Sequence, residues 1–295
     1  MNYKMMGRFI ARTLLVEALF MLPALVISLC YWELAAVKGF LISYAVILPV
    51  VGLLFLLCRN APNAMSATEG LSCVALSWIA LSLLGCLPFV FSGSIPNYID
   101  ALFETVSGFT TTGSSVVARP EDLPNGILYW RSFSHWLGGM GVLVFLLALP
   151  GSDEKGAGFT MHLLRAESPG PAVGKLVPKM RKTATILYLI YIVMTVLNFI
   201  FLLFGNMPWL EALCTALGTA GTGGFGTRSD SMASYSPYIQ YVTATFMALF
   251  AINFSCYYLI LLRQFKSVFK DEELRLYLCV VAVSIGLICW NLGSY

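Results

Sequence analysis

Two short runs of small and hydroxylated residues carry the pattern most able to do chemistry. They are Thr110-Thr-Thr-Gly113 and Thr222-Gly-Gly224. Neither places a nucleophile beside a base, and the chain has no Ser/His/Asp set, no HExxH and no paired acids. What the runs offer is backbone. Carbonyl oxygens and Thr hydroxyls can replace the hydration shell of a hard, weakly hydrated monovalent cation. Glycine at the turn supplies freedom that a Cβ would deny. No carboxylate cluster offers a divalent ion its preferred ligands. The chemistry is coordination, with no covalent step.

The two runs are copies. Asp100-Ala-Leu-Phe-Glu-Thr-Val-Ser-Gly-Phe-Thr-Thr-Thr-Gly113 can be laid over Glu211-Ala-Leu-Cys-Thr-Ala-Leu-Gly-Thr-Ala-Gly-Thr-Gly-Gly224 at an offset of 111 residues. An offset of 110 also matches some positions and would make Gly223 the second key glycine. Each copy predicts a short helix with an acidic start, Asp100 or Glu211, followed by an extended stretch. A carboxylate suits the positive end of such a helix, and the opposite end, with about −0.5 of a charge, favours a cation. The moderately apolar segments around 97–117 and 209–227 are too short to cross a bilayer.

The elements that must hold these runs are membrane helices. The chain of 295 residues is 58% hydrophobic and 11% charged, with mean hydropathy +0.80, which excludes a water-soluble surface. Seven stretches of roughly 20 residues are long enough to span, near 9–32, 39–58, 70–92, 127–150, 183–205, 237–262 and 274–292. The first is too long for a signal peptide and lacks a cleavage site, so it reads as a retained span. Of the 18 Lys and Arg, all but Lys38, Arg119, Arg131 and Arg228 fall on one side when the N-terminus is cytoplasmic, which puts both Thr/Gly runs outside. The net charge of +3 and the lack of a basic run interleaved with aromatics argue against nucleic acid. The 8 cysteines form no CxxC pair and suggest neither a disulfide framework nor a zinc site.

Non-helical backbone at membrane depth survives only where protein or water surrounds it, so each copy reads as span, re-entrant hairpin, span, in parallel repeats. The expected divisions are two N-terminal helices in 1–66, a first pore unit in 67–152, a cytoplasmic loop in 153–182, a second pore unit in 183–265, and the opening helix of a third in 266–295. Glu104 is expected to brace the first hairpin. Arg131 and His135 read as a polar cap at the outer interface, and Glu17 as an interfacial or helix-facing acid. Gly138-Gly-Met-Gly141 reads as close helix packing. Gly221-Thr-Gly-Gly-Phe-Gly226 matches GxGxxG, but membrane spans flank it where a dinucleotide site needs a strand and a helix.

Phe103-Glu-Thr-Val-Ser-Gly-Phe-Thr-Thr-Thr-Gly113-Ser, Ser134-His-Trp-Leu-Gly-Gly-Met-Gly141 and Thr222-Gly-Gly-Phe225 resemble the Trk/Ktr/HKT superfamily of potassium transporters, and its bacterial TrkH-type branch in particular. The resemblance covers essentially the whole chain. It implies an all-α polytopic membrane protein with two extra N-terminal helices before repeated helix–re-entrant pore loop–helix units, as in potassium channels. It implies K+ transport across the bacterial inner membrane, with K+ as the transported ion and no covalent cofactor. By the same resemblance the K+-binding filter backbone is Thr111, Thr112 and Gly113, then Thr222, Gly223 and Gly224. Expected partners are membrane lipid, a second copy in a homodimer, and a cytosolic nucleotide-binding regulatory subunit on the polar loop Gly151–Lys182. The family pattern has four units, and two complete ones are present here. The expectation is a piece of a longer transporter, or chains that pair to close a pore. The alternatives are a nonconducting or regulatory partner of full-length subunits, and an intramembrane enzyme using His135 with Glu104.

Overall fold

A computed structural model describes residues 2–59, 67–141 and 180–293, and every regular element among them is helical. The N-terminal pair, α1 (Tyr3–Cys30) and α2 (Leu34–Leu57), pack against each other. α3 (Ala67–Gly85) ends where the Gly85 carbonyl accepts the Trp130 indole N–H at 2.9 Å. The chain restarts as the short α4 (Leu87–Phe91), with Pro88 in its first turn, where a missing N–H costs nothing.

Then comes the first short helix, α5 (Tyr98–Phe109), followed by α6 (Asn125–Met140). The second half repeats this plan. α7 (Met180–Phe204) leads to the short helix α8 (Trp209–Ala220) and on to α9 (Pro237–Phe250). The chain continues through α10 (Phe254–Leu261), α11 (Phe265–Phe269) and α12 (Glu272–Gly293).

α6 is the centre of the arrangement. It packs on both short helices, α5 and α8, and on α1. Its start is capped from outside, because the N–H groups of Asn125 and Gly126 donate to the Glu33 carboxylate at 2.6 and 3.1 Å. A charged acceptor at orphan N–H groups and at the positive helix end satisfies both needs together. Gly126 lies so close to α1 that a Cβ would overlap the Ser28 hydroxyl. The buried rings of Tyr129, Trp130, Phe133 and Trp136 run down α6 and meet Phe20 of α1 and Tyr188 and Tyr191 of α7. In a bilayer, apolar area alone does not drive helices together, so close packing and hydrogen bonds such as these carry the association.

Among the described residues, five helices are long and apolar enough to cross a membrane, and a sixth span is reached if a bent pair is counted as one. The expected spans 127–150 and 237–262 are not continuous. The first is helical only to Met140 and stops at Gly141, whose positive φ of +71° is readily adopted by glycine and breaks the helical path. Residues 142–150 lie outside the described residues. The second breaks between α9 and α10, which meet at 86°. Asn253 caps the new start, its side chain accepting from the Ser255 N–H at 2.9 Å and donating to Glu273 at 2.9 Å. High hydropathy runs through both breaks, so the breaks were invisible in it.

Candidate functional site

The repeat predicted from sequence is exact in the backbone at an offset of 111. Moving α5 (98–109) by 111 residues gives the bounds of α8 (209–220), and α6 (125–140) falls within one residue of α9 (237–250). Thr110 N–H bonds the Val106 carbonyl and Thr111 N–H the Gly108 carbonyl; Gly221 bonds Leu217 and Thr222 bonds Thr219 in the same way. Left-handed φ values recur at Thr111 (54°) and Thr222 (59°), then at Gly113 (75°) and Gly224 (77°). This removes the competing offset of 110 and pairs Gly113 with Gly224.

A β-branched residue at positive φ is an outlier, costing roughly 1–2 kcal/mol. Finding it twice at matched positions means that the surroundings of both loops impose it, since such strain persists only where they over-determine it. Thr112 sits at negative φ between Thr111 and Gly113.

The two loops touch. A Cβ on Gly113 would overlap the Gly223 carbonyl, and one on Gly223 would overlap the Thr111 carbonyl. The glycines of α6 make this approach possible. Gly138 lies against the Phe109 carbonyl and the Thr111 side chain, and Gly139 against Gly221 and the Tyr191 hydroxyl. The expected small-residue packing is therefore real, and its partners are the ends of the two short helices.

Glu104 braces the first loop as expected. Its carboxylate accepts from the Ser115 hydroxyl at 2.8 Å and the Val116 N–H at 2.9 Å. Arg131 and His135 overturn the expectation of an interfacial cap: they are 2% and 0% exposed. Arg131 Nε donates to Glu104 at 2.6 Å, and its Nη1 reaches the Gly226 carbonyl at 2.9 Å. Its guanidinium also stacks 3.9 Å from the centre of the Phe225 ring. His135 Nε2 accepts the Gly223 N–H at 3.0 Å. The first unit's α6 thus holds the second unit's loop. Phe225, which also lies beside Gly108 of α5, is the hydrophobic anchor of that loop. His135 and Glu104 do not pair, as an enzymatic dyad would require; each has another partner.

Asp100 and Glu211 lie in the first turns of α5 and α8. Glu211 is tied to Arg228 at 3.0 Å and accepts the Tyr235 hydroxyl. Burial, reinforced by Glu211, pushes that hydroxyl up to about 12, so it stays a donor. Glu17 faces its helical neighbours, one of the two settings expected for it. It is fully buried beside Gly85, and neither oxygen has a hydrogen-bond partner among the described residues. The GxGxxG run follows a helix, not a strand. Among the described residues, no group of three or more His, Cys, Asp or Glu could hold a metal ion.

Two copies of helix, pore loop and helix, sharing one buried core behind two N-terminal helices, define a polytopic membrane protein of the pore-loop kind. The family profile TrkH, described as "Cation transport protein", matches residues 36–285. The chain belongs to the TrkH family of cation transport proteins. It is 33% identical over 304 residues to the Trk system potassium uptake protein TrkH of Salmonella typhimurium, covering 100% of the chain and 62% of that relative. It is 30% identical to the Trk system potassium uptake protein TrkG of Escherichia coli, covering 94% of the chain and 58% of the relative. The crystal structure of the potassium transporter TrkH from Vibrio parahaemolyticus matches with a TM-score of 0.78 and 26% identity, over 100% of this chain and 61% of that one. The chain spans about three fifths of the length of the curated relatives it matches.

Proposed function

We propose that this chain contributes two filter segments to a K+ transport pathway across the bacterial inner membrane. The backbone of Thr111, Thr112 and Gly113 and of Thr222, Gly223 and Gly224 supplies the ion's ligands. The observation that carries this reading is the repeated left-handed backbone at Thr111/Gly113 and Thr222/Gly224, two loops in contact at the ends of matched helices. Both helices point their partially negative ends at the loops, which favours a cation and offers an anion nothing. Carbonyls alone suit a monovalent ion that sheds its water readily. The membrane potential supplies about 2.3 kcal/mol per charge per 100 mV toward inward movement.

The test is K+ and Na+ uptake by the protein expressed from its complete gene in a bacterium lacking its own K+ uptake. Gly113→Ser should lower the preference for K+ over Na+, because the added side chain displaces the Gly223 carbonyl. Unchanged permeability would remove the filter assignment.

The same reading extends to a cytoplasmic N-terminus, a homodimer and a soluble nucleotide-binding subunit on the loop 153–182. Most of that loop lies outside the described residues. Charge distribution and resemblance support these three. Deleting 155–175 should abolish co-purification with such a subunit; unaltered co-purification would refute that contact.

A further inference from the structure

The two filter loops are secured differently. In the first, the N–H of Thr112 returns to its own short helix, bonding the Ser107 carbonyl at 3.0 Å. The matched N–H in the second is that of Gly223, and it goes instead to the side chain of His135, at 3.0 Å. We propose that His135 is a positioning residue for ion selectivity, fixing the Thr222–Gly223 peptide so that the Thr222 carbonyl is presented to the ion. This rests on the filter reading above.

The described residues contain no cis peptide bond, and in a trans peptide the N–H and the preceding C=O point in opposite directions. Anchoring the Gly223 N–H on the imidazole therefore turns the Thr222 carbonyl away from α6. The remaining neighbours of Gly223, the Thr111 carbonyl and Gly113, pack against it without accepting its N–H. Gly223 can rotate where a residue with a Cβ cannot, and Thr222 sits at a φ of 59° that it does not favour.

The ring itself is fixed. A Cβ on Gly221 or Gly223 would overlap it, and the Phe225 ring lies 4.8 Å from it between centroids. An acceptor at Nε2 requires the neutral ring with its proton on Nδ1. Nδ1 has no partner among the described residues, so among them the one hydrogen bond of this side chain is to the loop.

The experiment compares wild type, His135→Gln and His135→Leu, each expressed from the complete gene in a bacterium lacking K+ uptake, with Na+ competing against K+. Leu fills the space without an acceptor; Gln offers an amide oxygen. His135→Leu should lower K+ over Na+ preference about two- to tenfold, the worth of one ordinary hydrogen bond. His135→Gln should restore most of it. Unchanged preference in His135→Leu, or equal loss in both variants, would overturn the assignment.

A second readout does not depend on uptake. In 15N-histidine-labelled protein, the ring signals present in the wild type and missing from His135→Gln are those of His135. An Nδ1–H tautomer with a hydrogen-bonded, unprotonated Nε2 is expected, and an Nε2–H tautomer would overturn the proposal. Absence of K+ uptake by the wild type would overturn the transport reading, while the tautomer would still decide the contact between ring and loop.

Discussion

Gly113 and Gly224 share a backbone conformation but not surroundings, and that difference separates strain from crowding. Their φ values are 75° and 77°. A Cβ on Gly113 meets the Gly223 carbonyl, whereas one on Gly224 meets nothing within 4 Å. Gly224→Ala should therefore cost only the left-handed penalty, roughly 1–2 kcal/mol. Gly113→Ala carries the same penalty and a backbone collision besides. Measured as K+ uptake with Na+ competing, Gly113→Ala should be clearly the more damaging; equal effects would mean that the loops do not touch as described. Both glycines were legible in the sequence, because their Thr/Gly setting recurs with an acidic helix start. Their register was not, since two offsets fit comparably. The matched bounds of α5 and α8, their end hydrogen bonds and the paired positive φ values distinguish them.

α6 shows at the scale of an element what span reading misses. Hydropathy places Arg131 and His135 in a membrane segment but says nothing of which face they occupy. Their partners, Gly226 and Gly223, are 95 and 88 residues away in sequence, beyond any local pattern. The sequence clue was a cation at membrane depth without a local acid; Glu104 is 27 residues off. That pair is buried on both sides, with side chains 2% and 0% exposed. Removing one partner of a buried pair strands the other charge, typically at about 3–5 kcal/mol, while replacing both is far milder. Arg131→Met should thus lower the unfolding temperature in detergent more than the double variant Arg131→Met/Glu104→Gln does. A double variant at least as unstable as the single would show that the Glu104 carboxylate is already satisfied by Ser115 and Val116. The ends of α6 and α9 were equally hidden. A Gly141 at positive φ and a capping Asn253 stop helices within sequence that stays apolar.

Across the whole molecule the two units are joined at several levels, and the most exposed joint is the easiest to titrate. Deep in the structure, α6 packs on both short helices; nearer the ends, Tyr31 stacks on Trp209, linking the α1–α2 turn to the start of α8. Outermost, Glu121 of the first unit accepts from the Ser229 hydroxyl at 2.7 Å and its N–H at 2.9 Å. The Ser229 hydroxyl is the main reason that the Glu121 carboxyl is held below its ordinary value, with Arg119 helping. A depressed folded value means that the carboxylate form stabilises the fold. That contribution is complete above the ordinary carboxylate range and disappears as pH falls through the depressed value. Gln at this position keeps one acceptor and does not titrate. The unfolding temperature of the wild type should therefore exceed that of Glu121→Gln near about pH 7, and the gap should close toward about pH 3. A gap that persists or widens in acid would place the titrating group elsewhere. Because Glu121 and Ser229 lie in connections of different units, a gap that closes as expected would also show that the two units stay docked at neutral pH, as the contact between Gly113 and Gly223 requires.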